Sequence, residues 1–281
     1  MTKRTVYSKV KEGIDKINEI YSEIPATTGC LKYIEMPKEE GGCGGKCCLH
    51  QNPSVLYIEF MNTWKYVMSN FSMDEILGLI ERSLRTYLND APTKGCVFFD
   101  RDKKVCTQHE TRPYNCRMYS QIPDEEFKPR YEALKVLQEK DFRTVVMPQC
   151  DLTETVGDKP TKEQSDEWWA RMKKIENDCG IPENQITDDQ NGTYRTFHDH
   201  IILHVFPDWA LEDLTKMKLH GSFQDKNLAV LQTMSWLKGT MEQKKDEVLE
   251  HRAQNKDKID AAKKAQEELE KELKQAENGT D

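Results

Sequence analysis

The sequence predicts a mainly α-helical protein with an irregular cysteine-rich core, a short β-hairpin and a long charged C-terminal helix. Apolar residues recur at helical spacing through most of the chain, and six of the nine cysteines fall between Cys43 and Cys116. From about residue 241 onwards Glu, Lys, Asp, Gln and Ala dominate. We expect four parts: an N-terminal helix and loop (1–40), a cysteine-cluster domain (41–182), a helical extension (183–240) and a charged helix (241–281) that is solvated or docks on a partner.

The N-terminal third of the chain carries clear helix signals. Residues 1–24 place apolar side chains three and four positions apart and are followed by Pro25, which predicts one helix. Residues 54–71 are apolar enough for a second, mostly buried helix. A third helix is expected to begin at Ser72, because Glu75 follows three residues later and completes a capping box.

A short β-hairpin is expected after the third helix. The apolar residues Val97-Phe98-Phe99 and Val105 flank the turn-forming residues Asp100-Arg101-Asp102. Such a hairpin would bring Cys96 and Cys106 close together at its base.

Helical patterns continue downstream of the cysteine run. Residues 124–142 form a plausible amphipathic helix, and residues 161–178 form another that ends at Cys179-Gly180, where glycine acts as the stop signal. Residues 194–240 are expected to be helical in two or three pieces, with breaks at Pro207 and Gly221.

Charge and hydropathy exclude some classes of partner. The net charge of −8 argues against generic nucleic-acid binding, which needs a basic surface. No stretch approaches the roughly 18 apolar residues of a membrane span, and no apolar run follows Lys3-Arg4 as in a secretory signal. We therefore expect neither a nucleic-acid nor a membrane partner, and a cytoplasmic location where thiols stay reduced.

The density of thiols favours a metal site over a disulfide framework. Nine cysteines cannot all pair within one chain, and adjacent residues such as Cys47-Cys48 rarely bridge each other because the ring would be strained. Glycines around Cys43 allow the backbone to curl and to direct thiolates and N–H groups toward one centre, as an iron–sulfur cluster needs. Plain buried thiols are the remaining alternative.

Two arginines flank the last cysteine of the run. Arg112 and Arg117 lie on either side of Cys116, where cations lower thiol pKa values and balance the negative charge of a cluster. His109, in the same loop, could contact a cluster or a substrate. We therefore expect Arg112, Arg117 and His109 to face the bound group.

The order of these elements resembles the YkgJ-type cysteine-cluster family, a zinc- or iron-chelating domain whose relatives include the flagellin lysine N-methylases. The matching elements are Cys43-Gly44, Cys47-Cys48, Cys96, and Cys106 followed by Arg112-Pro113-Tyr114-Asn115-Cys116-Arg117. The resemblance extends over about residues 41–182, with Cys150 and a shortened Cys179-Gly180-Ile181 element. It implies metal binding by eight cysteines: Cys43, Cys47, Cys48, Cys96, Cys106, Cys116, Cys150 and Cys179.

Eight thiols could serve one centre or two, because a [4Fe–4S] cluster or a closed zinc site takes four ligands. The absence of any C-x2-C pair from the sequence favours an iron–sulfur cluster over zinc. A second candidate site contains His198, His200 and His204. His200 and His204 share one helix face and could bind metal, but their apolar neighbours equally fit a core helix.

Three functions remain open on the sequence alone. The first is an iron–sulfur protein that transfers electrons to, delivers a cluster to, or helps to mature a larger metalloenzyme or assembly complex. The second, which the resemblance implies, is a protein-modifying enzyme similar to a lysine N-methylase; no G-x-G-x-x-G or P-loop motif supports it. The third is a zinc-stapled module for protein interactions.

Overall fold

In the computed structural model of the chain, the described residues are 3–27, 46–50, 52–89, 95–103, 105–141, 146, 148–150, 153–181, 195–244 and 250. Their elements, in chain order, are α1 (Lys3–Glu23), α2 (Lys46–His50), α3 (Tyr57–Asn70), α4 (Met73–Leu88), β1 (Phe99–Asp100), β2 (Val105–Cys106), a 3-10 helix (His109–Thr111), α5 (Tyr114–Met118), α6 (Asp124–Lys140), α7 (Lys162–Asp178), α8 (Phe197–Val205), α9 (Asp208–His220) and α10 (Phe223–Gln243). The predicted mainly α-helical class is confirmed. Most of the expected charged C-terminal helix, residues 245–249 and 251–281, lies outside the described residues.

Helix α1 forms one wall of the core. Its apolar residues recur every three or four positions, so they share one face, and that face packs against α3 and α7. Ile17 and Ile20 on this face are almost completely buried. The N-terminal helix predicted over 1–24 is therefore present and contributes directly to the core.

The two helices after the first cysteine segment also agree with the sequence. At the start of α4 the Ser72 hydroxyl accepts from the Glu75 N–H at 3.3 Å, while the Glu75 carboxylate accepts from the Ser72 N–H at 2.7 Å. This is the predicted capping box. Helix α4 packs most extensively against α8, where Phe197 and Ile201 are fully buried.

The helical segments downstream begin and end where expected, with one difference. Gly180 adopts a φ of 66° two residues after the end of α7. Pro207 lies in the break between α8 and α9, and Gly221 in the break between α9 and α10. Helix α6 also forms, but none of its residues is buried. Its apolar side is thus not a core face, and Leu137 on it is 51% exposed.

The chain divides into two compact units, Met1–Val230 and Leu231–Asp281. The boundaries predicted near residues 40, 182 and 240 remain predictions. Every cysteine of the chain belongs to the first unit. Among the helices of the described ranges, none combines the length and the apolar character that crossing a membrane requires.

The histidines of α8 face the core in the described structure: His198 and His200 are buried, and His204 is half-buried. His200 is fully buried, its Nε2 donates to the Val55 carbonyl at 2.8 Å, and its ring stacks on Phe60 at 5.3 Å. His204 packs edge-on against Trp64. Their side chains therefore pack among aromatic rings, in agreement with the core alternative.

Burial of His200 predicts a loss of stability in acid. Burial lowers its pKa from 6.5 to about 4, so between these values the unfolded chain binds a proton that the folded chain does not. The contribution of neutral His200 to the free energy of unfolding is fully present above pH 6.5. About 3 kcal/mol of it is lost as the pH falls toward 4. We expect His200→Phe to flatten the dependence of the urea unfolding midpoint on pH in this window. Replacement of the exposed His220 by Gln is the control, and an unchanged slope in His200→Phe would contradict the assignment.

Candidate metal centre

Five cysteines from three separate segments converge in the first unit. Cys47 and Cys48 lie on α2, Cys96 lies three residues before β1 of the hairpin, Cys106 ends β2, and Cys116 lies on α5. All five residues are partly exposed and none forms a disulfide. The sulfur atoms of Cys47 and Cys48 are 3.9 Å apart.

Helix α2 is docked on the segment that leads into the hairpin. The Cys96 N–H donates to the Cys48 carbonyl at 2.7 Å. The approach is so close that a Cβ on Gly95 would lie 2.6 Å from the carbonyl oxygens of Cys48 and Leu49. From the other side, Nε2 of His198 lies 3.1 Å from the Gly95 carbonyl and donates to it. The absence of a side chain at Gly95 therefore permits this junction.

The hairpin forms as predicted and brings its two cysteines to one end. Phe99 pairs with Cys106 and Asp100 with Val105 in an antiparallel ladder. The guanidinium of Arg82 on α4 donates twice to the Val97 carbonyl, at 3.3 and 3.2 Å. The hairpin is thus fixed to α4 directly beside Cys96.

The turn between Cys106 and Cys116 is held from α3. The Thr63 hydroxyl contacts both the Gln108 side chain at 3.3 Å and the Thr111 carbonyl at 3.0 Å. Helix α5 then begins at Tyr114, whose N–H donates to the buried carboxylate of Glu59 at 2.6 Å. Buried contacts to one helix therefore set the position of Cys116 relative to the hairpin.

The five thiols interact electrostatically across the three segments. Burial raises the pKa of Cys96 to about 12, and negative charge on Cys106 adds to the effect. Burial likewise raises the pKa of Cys116, reinforced by charge on Cys96, Cys106 and Cys47. The hydrogen bond within the Cys47–Cys48 pair lowers the pKa of Cys47 and raises that of Cys48. Without a cation, these thiols therefore resist ionising together.

This donor set fits a thiophilic metal. A bound cation favours the thiolate form, which binds zinc and the iron atoms of iron–sulfur clusters. Across the described ranges, however, no three Cys, His, Asp or Glu side chains are arranged so that they could hold one ion.

The two predicted arginines have different roles in the structure. Burial raises the pKa of Cys106, and the charge of Arg112 acts against this rise. Arg112 also adds to the lowering of the pKa of Cys47, which its hydrogen bond with Cys48 dominates, so Arg112 lies near these two thiols. Arg117 instead lies 4.2 Å above the ring of Tyr21 and donates to the carbonyls of Arg112 and Glu110. Through these contacts Arg117 holds the turn that contains Glu110 and Arg112 against α1.

His109 belongs to the same turn. Its Nε2 lies 3.0 Å from a guanidinium nitrogen of Arg112. Burial, with the charges of Arg112 and Arg117, lowers its pKa to about 4. A neutral His109 therefore accepts from Arg112 and orients this cation beside the thiols.

The remaining predicted ligands lie elsewhere or outside the described residues. Cys179 donates to the Lys9 carbonyl at 3.3 Å, and its sulfur would lie 2.5 Å from a Cβ on Gly13. Along α1, Gly13 is about 12 Å from Tyr21, which borders the thiol group through Arg117. The structure thus does not bring Cys179 to the other thiols. Cys43, and the unassigned Cys30, lie outside the described residues.

Cys150 follows a segment that is tied to the end of α5. The Tyr119 hydroxyl donates to the Pro148 carbonyl at 2.7 Å, and the Gln149 side chain donates to the Ile122 carbonyl at 2.8 Å. Cys150 is partly exposed. These bonds bring the chain back toward α5, which carries Cys116. The role of Cys150 as a ligand stays a prediction.

The sequence did not indicate the residues that hold the three cysteine segments in place. Glu59, Thr63, Gly95 and Arg82 position the three cysteine segments through the contacts above. For Glu59 a signal was available, since it is a carboxylate within the apolar stretch 54–71. Gly95 precedes a cysteine, but the close approach of α2 is a tertiary contact with no local pattern.

Comparison with known proteins bears on the same part of the chain. Residues 39–151 match the model of the CxxCxxCC family, which is described as a "Putative zinc- or iron-chelating domain". The match includes Cys43, the five converging cysteines and Cys150, and ends before Cys179. Neither the comparison with curated proteins nor that with solved structures gave a match.

Proposed function

Because residues 39–151 belong to the CxxCxxCC family of cysteine-cluster, zinc- or iron-chelating domains, we propose that this protein binds an iron–sulfur cluster. It holds one or two [4Fe–4S]-type centres and acts as an accessory to a larger metalloenzyme or assembly complex. The accessory role is electron transfer, cluster delivery or maturation. Cytoplasmic location is part of the proposal, because cysteine ligands stay reduced in that compartment.

The observation that carries this proposal is the convergence of five cysteines from three segments. A [4Fe–4S] cluster takes four thiolates, and the five described cysteines exceed that number before Cys43 is added. The adjacent pair Cys47 and Cys48 supplies ligands from one short helix, while the hairpin and α5 supply the others. The negative charges of their thiolates repel one another, and the positive charge of a cluster core would offset this repulsion.

The surroundings also favour a cluster that exchanges electrons or metal with a partner. All five cysteine residues are partly exposed, while burial of the Cys96 and Cys116 thiols raises their pKa values, so a bound cluster would lie just below the surface. Arg112 beside the thiols provides positive charge that stabilises the reduced, more negative state of a cluster. Surface access and a nearby cation are both useful for docking to an acidic patch of a metalloenzyme partner.

Purification without oxygen, followed by iron, sulfide and zinc analysis, tests the proposal. We expect a coloured protein with iron and acid-labile sulfide in about equal amounts, four of each per cluster. A colourless protein with stoichiometric zinc and no sulfide would instead establish the zinc-stapled module.

The lysine N-methylase-like alternative stays a prediction of the sequence resemblance. It requires a site for S-adenosylmethionine in addition to the thiols. Titration of the full chain with S-adenosylmethionine by calorimetry decides between the two. Saturable binding would favour the enzyme, and no binding would favour the accessory role.

A further inference from the structure

Glu59 is a buried carboxylate with an unusual set of partners. Only 1% of the residue is exposed, and it lies on α3 among fully buried apolar side chains. One carboxylate oxygen accepts from the Tyr21 hydroxyl at 2.5 Å and from the Tyr114 N–H at 2.6 Å. The other accepts from the Leu56 N–H at 2.9 Å. The carboxylate therefore links three separate segments of the chain.

One of these bonds acts directly on the candidate metal centre. Tyr114 is the first residue of α5, and Cys116 follows it within the same five-residue helix. The first N–H groups of a helix have no partner within the helix, so the carboxylate both caps α5 and attracts its positive end. A shift of Glu59 would displace the start of α5 and Cys116 with it.

A second link runs through Tyr21 and Arg117. The Tyr21 hydroxyl bonds to Glu59, and its ring carries the Arg117 guanidinium at 4.2 Å. Arg117 in turn donates to the carbonyl of Arg112 at 2.9 Å. The same carboxylate thus supports α5 from its start and, through α1, the arginine next to Cys116.

We infer that Glu59 is a positioning residue for the metal centre: it fixes the start of α5 and, with it, the position from which Cys116 reaches a bound metal. This inference rests on the proposed function, in which Cys116 is a ligand. A buried carboxylate is costly, and apolar side chains of similar size often stabilise a core equally well. Burial does raise the pKa of Glu59, while its three donors act in the opposite direction. A geometric requirement at α5 explains why a carboxylate occupies this position.

The test compares metal binding by the full chain and by Glu59→Gln. The amide keeps the shape, but its NH2 group cannot accept a hydrogen bond and faces either the Leu56 N–H or the Tyr114 N–H. At least one of the three bonds is therefore lost, and those that remain have a neutral instead of a charged acceptor, which weakens them. Removal of an outer partner of a metal ligand weakens metal affinity by roughly 10- to 100-fold. We expect a loss of this size, measured by competition with a chelator, together with an altered absorption spectrum of the bound metal.

Leu214→Ala is the matched control for a purely structural effect. Leu214 is buried on α9, and its truncation lowers the unfolding midpoint through a cavity. We expect this variant to keep the metal affinity and the spectrum of the wild type. If Glu59→Gln and Leu214→Ala lose stability equally and both retain wild-type affinity, the inference is overturned.

Tyr21→Phe keeps the test decisive if Glu59→Gln does not fold. It removes one donor to the carboxylate and preserves the ring beneath Arg117. A several-fold loss of affinity supports the inference, and unchanged affinity contradicts it. Failure of the wild type itself to bind iron or zinc would overturn the proposed function instead, which separates the two claims.

Discussion

We expect Cys106→Ser and Cys116→Ser each to lose the bound metal, and residues 41–182 to lose stability as a unit. Metal bound by thiolates from separate segments supplies folding energy, on the order of 10 kcal/mol for a structural site. Loss of one of the four ligands removes a large share of this folding free energy. Elemental analysis of the purified variants measures the metal, and limited proteolysis with urea unfolding measures the stability of the region.

Cys179→Ser is the matched comparison for these variants. Its thiol donates to the Lys9 carbonyl beside α1, and a serine hydroxyl can donate to the same acceptor. We expect this variant to retain the wild-type metal content. Unchanged metal in Cys106→Ser and Cys116→Ser would show that the ligand set is wrong, whereas loss of metal in Cys179→Ser would restore Cys179 to it.

Gly95→Ala separates α2 from the hairpin. The added Cβ would lie 2.6 Å from the carbonyl oxygens of Cys48 and Leu49, which are backbone atoms and cannot rotate away. The bond from the Cys96 N–H to the Cys48 carbonyl must then lengthen or break. We expect a destabilisation of about 1–3 kcal/mol and a weaker affinity for metal, measured by urea unfolding and chelator competition.

Gly239→Ala is the control for the glycine substitution. Gly239 lies within α10, and a Cβ added there meets no atom within 4 Å. Alanine in a helix interior is favoured over glycine by about 0.5–1 kcal/mol, so this variant is expected to be neutral or slightly stabilised with normal metal binding. Equal behaviour of the two variants would contradict the close junction at Gly95.

The local features of the fold were accessible from the sequence because each depends on neighbouring residues. The capping box at Ser72 and Glu75, the hairpin turn around Asp100 and the stop at Gly180 are short-range patterns. The hairpin also allowed the proximity of Cys96 and Cys106 to be predicted. The family resemblance then added Cys47, Cys48 and Cys116, which no local pattern could place together.

The features that were not accessible depend on contacts between distant segments. Helical spacing alone could not decide whether His200 binds metal or fills the core, and its bond to the Val55 carbonyl answers this. Cys179 has the same residue type as the converging thiols, but its position is set by packing on α1. Helix α6 was correctly predicted as a helix, but none of its residues is buried, and the exposure of its apolar side depends on how distant segments pack.

X-ray absorption spectroscopy of the anaerobically purified full chain tests the metal centre most directly, because it identifies the metal and the atoms around it. A thiolate-bound iron–sulfur centre predicts iron surrounded by sulfur, with further iron atoms in the next shell. Zinc with sulfur neighbours at about 2.3 Å would keep the cysteine site but replace the cluster. Iron or zinc surrounded by nitrogen and oxygen alone would contradict binding by the converging cysteines.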